Sequence, residues 1–189
     1  ASIEERDHLR YKGRPIVVGA DPEEGRGRGV VSTANYAARK YGIHSALPIS
    51  TAWKLSEEAK RKGLPAAIFV GGNHQKYSEV SEKIITIVKK YAPLAEQASV
   101  DEAYLDISTA GSYEKAEKIA RAIKTEIKKK EKLTCSIGIG PNKLIAKIAV
   151  NIQKPNGMTI VRGENAEQFL EPMPIRNIPG IGPKTEKLF

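Results

Sequence analysis

The sequence predicts an α+β protein built from more than one lobe. Two stretches carry apolar residues at helical spacing: Tyr77, Val80, Ile84, Ile87, Val88 and Tyr91, then Ala116, Ile119, Ala120, Ile123 and Ile127. Short apolar, β-branched runs such as Ile16-Val17-Val18-Gly19-Ala20 read as strands. Breakers separate them: Pro48 and Gly63 bracket another helix, and Pro93 stops the first long one.

In chain order, Ile16 to Ala20 is a strand, and the glycine-rich, charged stretch Asp21 to Gly29 reads as a mobile basic loop. Its Gly25, Gly27 and Gly29 lack the Gly-Lys-Ser/Thr ending that a phosphate-cradling loop requires. Val30 to Thr33 is a strand, Ala34 to Tyr41 a helix, Ser50 to Lys62 a helix and Ala66 to Val70 a strand. The first long amphipathic helix follows. Ala95 to Val100 and Tyr104 to Ser108 are strands around Asp101-Glu102-Ala103. Tyr113 to Lys130 is the second long helix, Thr134 to Ile139 a strand, and Asn142 to Ile152 a helix introduced by Gly140-Pro141. Met158 to Val161 is a last strand and Glu164 to Leu170 a short helix.

Residues 73–140 therefore run helix, strand, strand, helix, strand. One strand in front would complete a ferredoxin-like βαββαβ motif. Residues 8–72 form a separate small α/β lobe, and the tail from 163 begins a third unit.

Composition narrows the function. Of 189 residues, 40% are hydrophobic, enough for a core, and 28% are charged, which fits a soluble protein. No apolar run reaches membrane-span length, and Ala1-Ser2-Ile3-Glu4-Glu5 is no signal peptide. Lys and Arg number 31 against 22 Asp and Glu, a net charge of +9. That excess suits a polyanion such as nucleic acid, or simply a basic surface. Cys135 has no partner cysteine and reads as a small buried residue, in keeping with a reducing, cytoplasmic setting. His8, His44 and His74 lack metal-ligand spacing and read as loop or surface residues.

Four segments carry chemistry. In Ser99-Val100-Asp101-Glu102-Ala103-Tyr104-Leu105-Asp106, two adjacent acids stand where two apolar strands meet. Neighbours on a regular strand face opposite ways, so both acids reach one center only at a hairpin tip. There they suit Mg²⁺, or form an ordinary acidic turn. In Thr33-Ala34-Asn35-Tyr36-Ala37-Ala38-Arg39-Lys40, Tyr36 and Arg39 share a helix face and suit a triphosphate, or lie on an exposed amphipathic helix. Lys154-Pro155-Asn156-Gly157 is a turn whose lysine reaches a phosphate or is merely solvated. Ile178-Pro179-Gly180-Ile181-Gly182-Pro183-Lys184 has the Pro-Gly-Ile-Gly-x-Lys form of a helix-hairpin-helix, whose glycines let backbone N–H groups approach a DNA phosphate. The alternative is a Gly-Pro linker.

Taken in this order, the segments resemble Y-family DNA polymerases of the DinB (DNA polymerase IV) type, over essentially the whole chain. Ala146-Lys147-Ile148-Ala149 before the Lys154 turn adds to the match. The resemblance implies the end of a first palm helix at 1–7, fingers at 8–72, palm at 73–162 and the start of a thumb at 163–189. It implies that Asp101 is a metal ligand and that Glu102 is the catalytic carboxylate near the primer 3′-hydroxyl and a ligand too. Thr33, Tyr36, Arg39 and Lys154 would contact the nucleotide, and Gly180, Gly182 and Lys184 the DNA backbone. Two Mg²⁺ ions, primer-template DNA and dNTP follow as cofactors and substrates, and error-prone lesion bypass as the activity.

The sequence departs from the family in places. The family carries a strand with Asp-x-Asp and two aromatics just before the segment that matches Ala1 to Glu5. Without it, the palm is expected to lack its first strand, a third metal-binding carboxylate and the aromatic gate against ribonucleotides. A starting Met is missing too, although its removal before Ala1 would look the same. The thumb stops within its hairpin unit, and the little-finger domain is not in the sequence. Any sliding-clamp contact belongs to that further C-terminal region. Ala46-Leu47-Pro48 replaces the usual small-Met-Pro. Two alternatives stand beside the polymerase: a non-catalytic DNA-binding fragment, and a nucleotidyl cyclase with a similar palm. The Thr33–Arg39 segment and the hairpin argue against the cyclase.

Overall fold

A computed structural model describes residues 1–189, which form two compact units, Ala1–Ser78 and Glu79–Phe189. The first unit opens with a short helix, α1 (Ser2–Asp7). Its sheet has the order β2-β1-β3, from β1 (Ile16–Gly19), β2 (Val31–Ala34) and β3 (Ile68–Gly71). β1 runs antiparallel to β2 and parallel to β3. Ile16, Val17 and Val18 are all buried, because a central strand covered on both faces needs a continuous apolar run. α2 (Tyr36–Arg39) and α3 (Ile49–Arg61) complete the lobe, with Val17, Val31, Ala34, Ala38, Ile43, Ile49 and Ala52 as its core.

Two readings of this region need correction. The helix expected over 34–41 is one turn, because Asn35 has extended backbone and its side chain caps the Ala38 N–H. The stretch 21–29 is also a closed turn. The Pro22 carbonyl accepts from both Gly25 (2.7 Å) and Gly27 (2.8 Å), and Gly25 packs against Trp53.

Buried Asn35 uses all its hydrogen-bonding capacity. Its Oδ1 accepts from Ile16 N (2.9 Å) and Ala38 N (3.0 Å), while Nδ2 donates to the Arg14 carbonyl (2.8 Å) and Glu5 Oε1 (3.0 Å). One side chain thus ties α1, β1 and α2 together. Glu4, also buried, accepts from Lys76 Nζ (3.1 Å) and the Tyr77 hydroxyl (3.0 Å).

α4 (His74–Lys89) runs from the first unit into the second. Next comes an antiparallel hairpin of β4 (Ala95–Gln97) and β5 (Ala103–Leu105), with Glu96 opposite Tyr104. α5 (Tyr113–Glu131) is capped by Ser112 and buries Ala116, Ala120, Ile123 and Ile127, the face its periodicity predicts. β6 (Ile137–Ile139) and β7 (Met158–Ile160) pair in parallel around α6 (Lys143–Ile152). α5 packs on this pair through Ala116, Ala120 and Ile139, while Ile145 and Ala149 of α6 join Val161 and α7 (Ala166–Leu170) in a second cluster.

The second unit therefore holds two sheets of two strands each. β5, α5 and β6 form a strand-helix-strand unit whose strands do not pair with each other. The strand expected over 134–139 is shorter than expected because its first residues bond elsewhere. The Cys135 carbonyl accepts from Lys124, and Ser136 Oγ accepts from Gly157 N. Burial also pushes the Cys135 thiol pKa up, which favours the protonated thiol.

Candidate active site

Asp101 and Glu102 lie at the tip of the β4–β5 hairpin. The Glu102 carbonyl accepts from both Ala98 N (3.0 Å) and Ser99 N (3.2 Å), which folds the tip back on itself. This break in the pleat sets both consecutive acids on the loop between the two strands. Asp101 is exposed, and its Oδ1 accepts from Ser99 Oγ at 2.7 Å. The Glu102 side chain is 41% exposed and pairs with the Lys147 ammonium of α6. Lys143, one turn earlier on α6, pairs with Glu96 and lies 5.5 Å from the Tyr104 ring center. Two lysines four apart on one helix face thus meet the same hairpin.

The tip carries no third ligand; no group of three or more His, Cys, Asp or Glu suited to a metal ion occurs in the structure. Asp106 is engaged elsewhere. It accepts from Ser108 N at 2.9 Å, and its bonds to Ser108 lower its pKa.

The other expected residues divide between the units. In the first, Thr33 is half-buried on β2 opposite Val18. Tyr36 and Arg39 come together on α2, with the guanidinium carbon 5.9 Å from the ring center. Arg39 Nε donates to the Ala34 carbonyl at 2.9 Å, which braces the stem and leaves the outer nitrogens to a ligand. In the second unit, Lys154 is exposed on the turn after α6. Gly180 is at φ 91, a left-handed conformation that favours glycine. Gly182 caps α8 (Pro183–Glu186), which contains Lys184, and the N–H groups of Gly180 and Gly182 bond to nothing in the chain. They are free to meet a phosphate. A 3₁₀ turn at Ile175–Asn177 precedes this hairpin.

Sequence reasoning gave no role to Lys147, Asn35 or Lys124. The i,i+4 pairing of Lys143 with Lys147 on an otherwise apolar helix is a usable signal for the first. Asn35 carries the cap signature ahead of a helix. Nothing local marks Lys124.

Three comparisons bear on this geometry. The impB/mucB/samB family profile matches residues 1–151, and the HHH motif of the same IMS family matches residues 163–189. The chain belongs to the impB/mucB/samB family. It is a Y-family, DinB-type sequence. It is 47% identical to DNA polymerase IV 2 of Methanosarcina mazei, over 99% of this chain and 49% of that protein. DNA polymerase IV of Streptococcus pyogenes is 48% identical, over 100% and 50%. The chain thus spans about half the length of the curated relatives it matches. Among solved structures, DinB from Sulfolobus solfataricus superposes with a TM-score of 0.85 at 36% identity, over all of this chain and 52% of that one. An insertion ternary complex of Dbh DNA polymerase gives a TM-score of 0.85 at 38% identity, over 96% and 51%. The family's polymerases are generally metal-dependent. No helix is long and apolar enough to cross a membrane.

Proposed function

We propose that this chain supplies the fingers (8–72), palm (1–7 and 73–162) and start of the thumb (163–189) of an error-prone, lesion-bypass DNA polymerase. Its reaction is nucleotidyl transfer from dNTP to a primer 3′-hydroxyl, directed by a template. The observation that carries this reading is the pair of adjacent carboxylates, Asp101 and Glu102, on a hairpin tip in a chain of this family.

Asp101 and Glu102 are hard oxygen donors that suit Mg²⁺, which takes one or two carboxylates and completes its shell with phosphate and water. The tip fits a cation, since the Lys147 ammonium already sits against Glu102. Two Mg²⁺ ions, when bound, would stabilise the attacking and leaving oxygens of the displacement. The chain's own residues position the substrates. Arg39 and Tyr36 present a guanidinium and a hydroxyl to the triphosphate, beside Thr33 on β2. Lys154 offers a charge to a nucleotide phosphate, and Lys147 offsets the acids when no metal is held. The free amides of Gly180 and Gly182, with Lys184, hold a DNA phosphate without reading sequence.

A second reading, a non-catalytic DNA-binding part, is favoured by the absence of a third acid at the tip. Mg²⁺-dependent primer extension by the chain with a family Asp-x-Asp strand joined ahead of Ala1 decides between them. Extension that Asp101→Ala abolishes supports the polymerase. DNA binding without extension supports the second reading.

A further inference from the structure

Lys124 has an unusual environment. It projects from α5 beside the buried Ala120, Ile123 and Ile127, yet its ammonium pairs with no carboxylate. Four uncharged oxygens surround it instead. It donates to Asn156 Oδ1 (2.8 Å), the Asn156 carbonyl (2.9 Å), the Gly157 carbonyl (3.2 Å) and the Cys135 carbonyl. An ammonium has three protons, so the four acceptors saturate it.

Three of these oxygens belong to the turn that carries Lys154. The turn is tightly determined. Asn156 is held at φ 54, and a Cβ on Gly157 would lie 1.8 Å from the Gln153 carbonyl oxygen, so only glycine fits. Gly157 N donates to Ser136 Oγ (3.2 Å), and the Gly157 carbonyl accepts from Ile137 N (3.2 Å), which fastens the turn to the start of β6. A conformation of this kind persists only where its surroundings over-determine it. Lys124 is the charged member of those surroundings.

We propose that Lys124 is a positioning residue. It clamps the Lys154–Gly157 turn onto the start of β6 and so fixes where the Lys154 ammonium meets the nucleotide triphosphate. The inference rests on the reading of Lys154 as a triphosphate contact. Through Cys135 and Asn156, the same clamp joins α5, β6 and the turn at one point. A small displacement at a charged contact costs affinity steeply, which gives the clamp its functional weight.

The test uses the 189-residue chain bound to a primer-template with a chain-terminated primer, so that dNTP affinity is read without turnover. Lys124→Met keeps the apolar stem and removes every donor. It is expected to raise the dNTP Kd by about 10-fold and to speed amide exchange at Gly157 by about the same factor, the value of a charge-assisted bond. Lys124→Arg is expected to recover part of the affinity. Lys154→Ala is expected to match Lys124→Met, and the double variant to be no weaker than Lys154→Ala, because both act through one contact. Parental affinity in Lys124→Met, or additive losses in the double variant, overturns the positioning role. Parental affinity in Lys154→Ala, or no dNTP binding by the parent, overturns the nucleotide reading itself, and the positioning role with it. If Lys124→Met does not fold, Asn156→Gly carries the test. It keeps the left-handed backbone, loses one acceptor, and is expected to raise Kd by about 3-fold. An unchanged Kd there overturns the proposal.

Discussion

Replacing Asn35 with alanine removes four hydrogen bonds from a side chain that is 7% exposed. Loss of the α2 cap costs about 1 kcal/mol. The Ile16 N–H, in a strand residue with no solvent exposure, is left unpaired, at about 1–3 kcal/mol. The Arg14 carbonyl and Glu5 turn to water at little cost, as neither residue is buried. The sum is about 2–4 kcal/mol, a large part of a typical total of about 5–15. Trp53, the single tryptophan, lies 5.6 Å from the Phe69 ring in this unit, so its fluorescence reports the unit's unfolding. The urea midpoint should fall by about 1–2 M with an unchanged slope. Asn35→Ser, which retains a cap acceptor but cannot span the network, should fall in between. A loss below about 1 kcal/mol would refute the network as the tie between α1, β1 and α2.

Other outcomes follow from the same structure. If Arg39 holds the triphosphate as proposed, Arg39→Ala should raise the apparent KM for dNTP by about 10- to 150-fold, with DNA affinity unchanged; an effect confined to DNA affinity would contradict its proposed role. DNA binding should be independent of sequence and weaken with salt, with a log-log slope of about −0.9 per phosphate neutralised. Equal affinity at about 50 and about 300 mM salt would argue against a phosphate contact. The Asp7, Glu114 and Glu126 carboxyls are each held at about 2, the first by Arg6 and Lys76, the second by its own backbone N–H and Arg162, the third by Lys130, Tyr91 and Lys90. Their folded pKa values lie below the usual 3.8 and 4.5, so this stabilisation is present in full above that range and is lost as pH falls toward 2. The melting temperature should drop across that window, and a flat profile there would show that the pairs contribute nothing.

Much of this architecture is legible in the sequence because it is local. The apolar spacing along α5 names the residues it buries, and two acids flanked by short apolar runs mark a hairpin tip. Where the reading slips, a single long-range or side-chain bond decides. Asn35 cuts a predicted helix to one turn by capping it. The Pro22 carbonyl, by accepting twice, closes a stretch whose glycines and charges suggest mobility. Lys124 and Ser136 take backbone groups that would otherwise extend β6. The pairing of Glu102 with Lys147 spans 45 residues, beyond any helical or strand period. Asp101, Glu102, Tyr36, Arg39 and Lys154 stand out in the sequence as candidates because each lies in a short distinctive motif. The lysines that neutralise or brace them are ordinary members of amphipathic helices, and only the folded chain shows their partners.

The central claim is that the Asp101–Glu102 tip is the metal-binding center of a polymerase. It is tested most directly by joining a family Asp-x-Asp strand ahead of Ala1 and following Mg²⁺-dependent primer extension. The joined chain should extend primers, and Asp101→Ala or Glu102→Ala in it should abolish extension while leaving DNA binding intact. Extension at the parental rate by either variant would contradict the account.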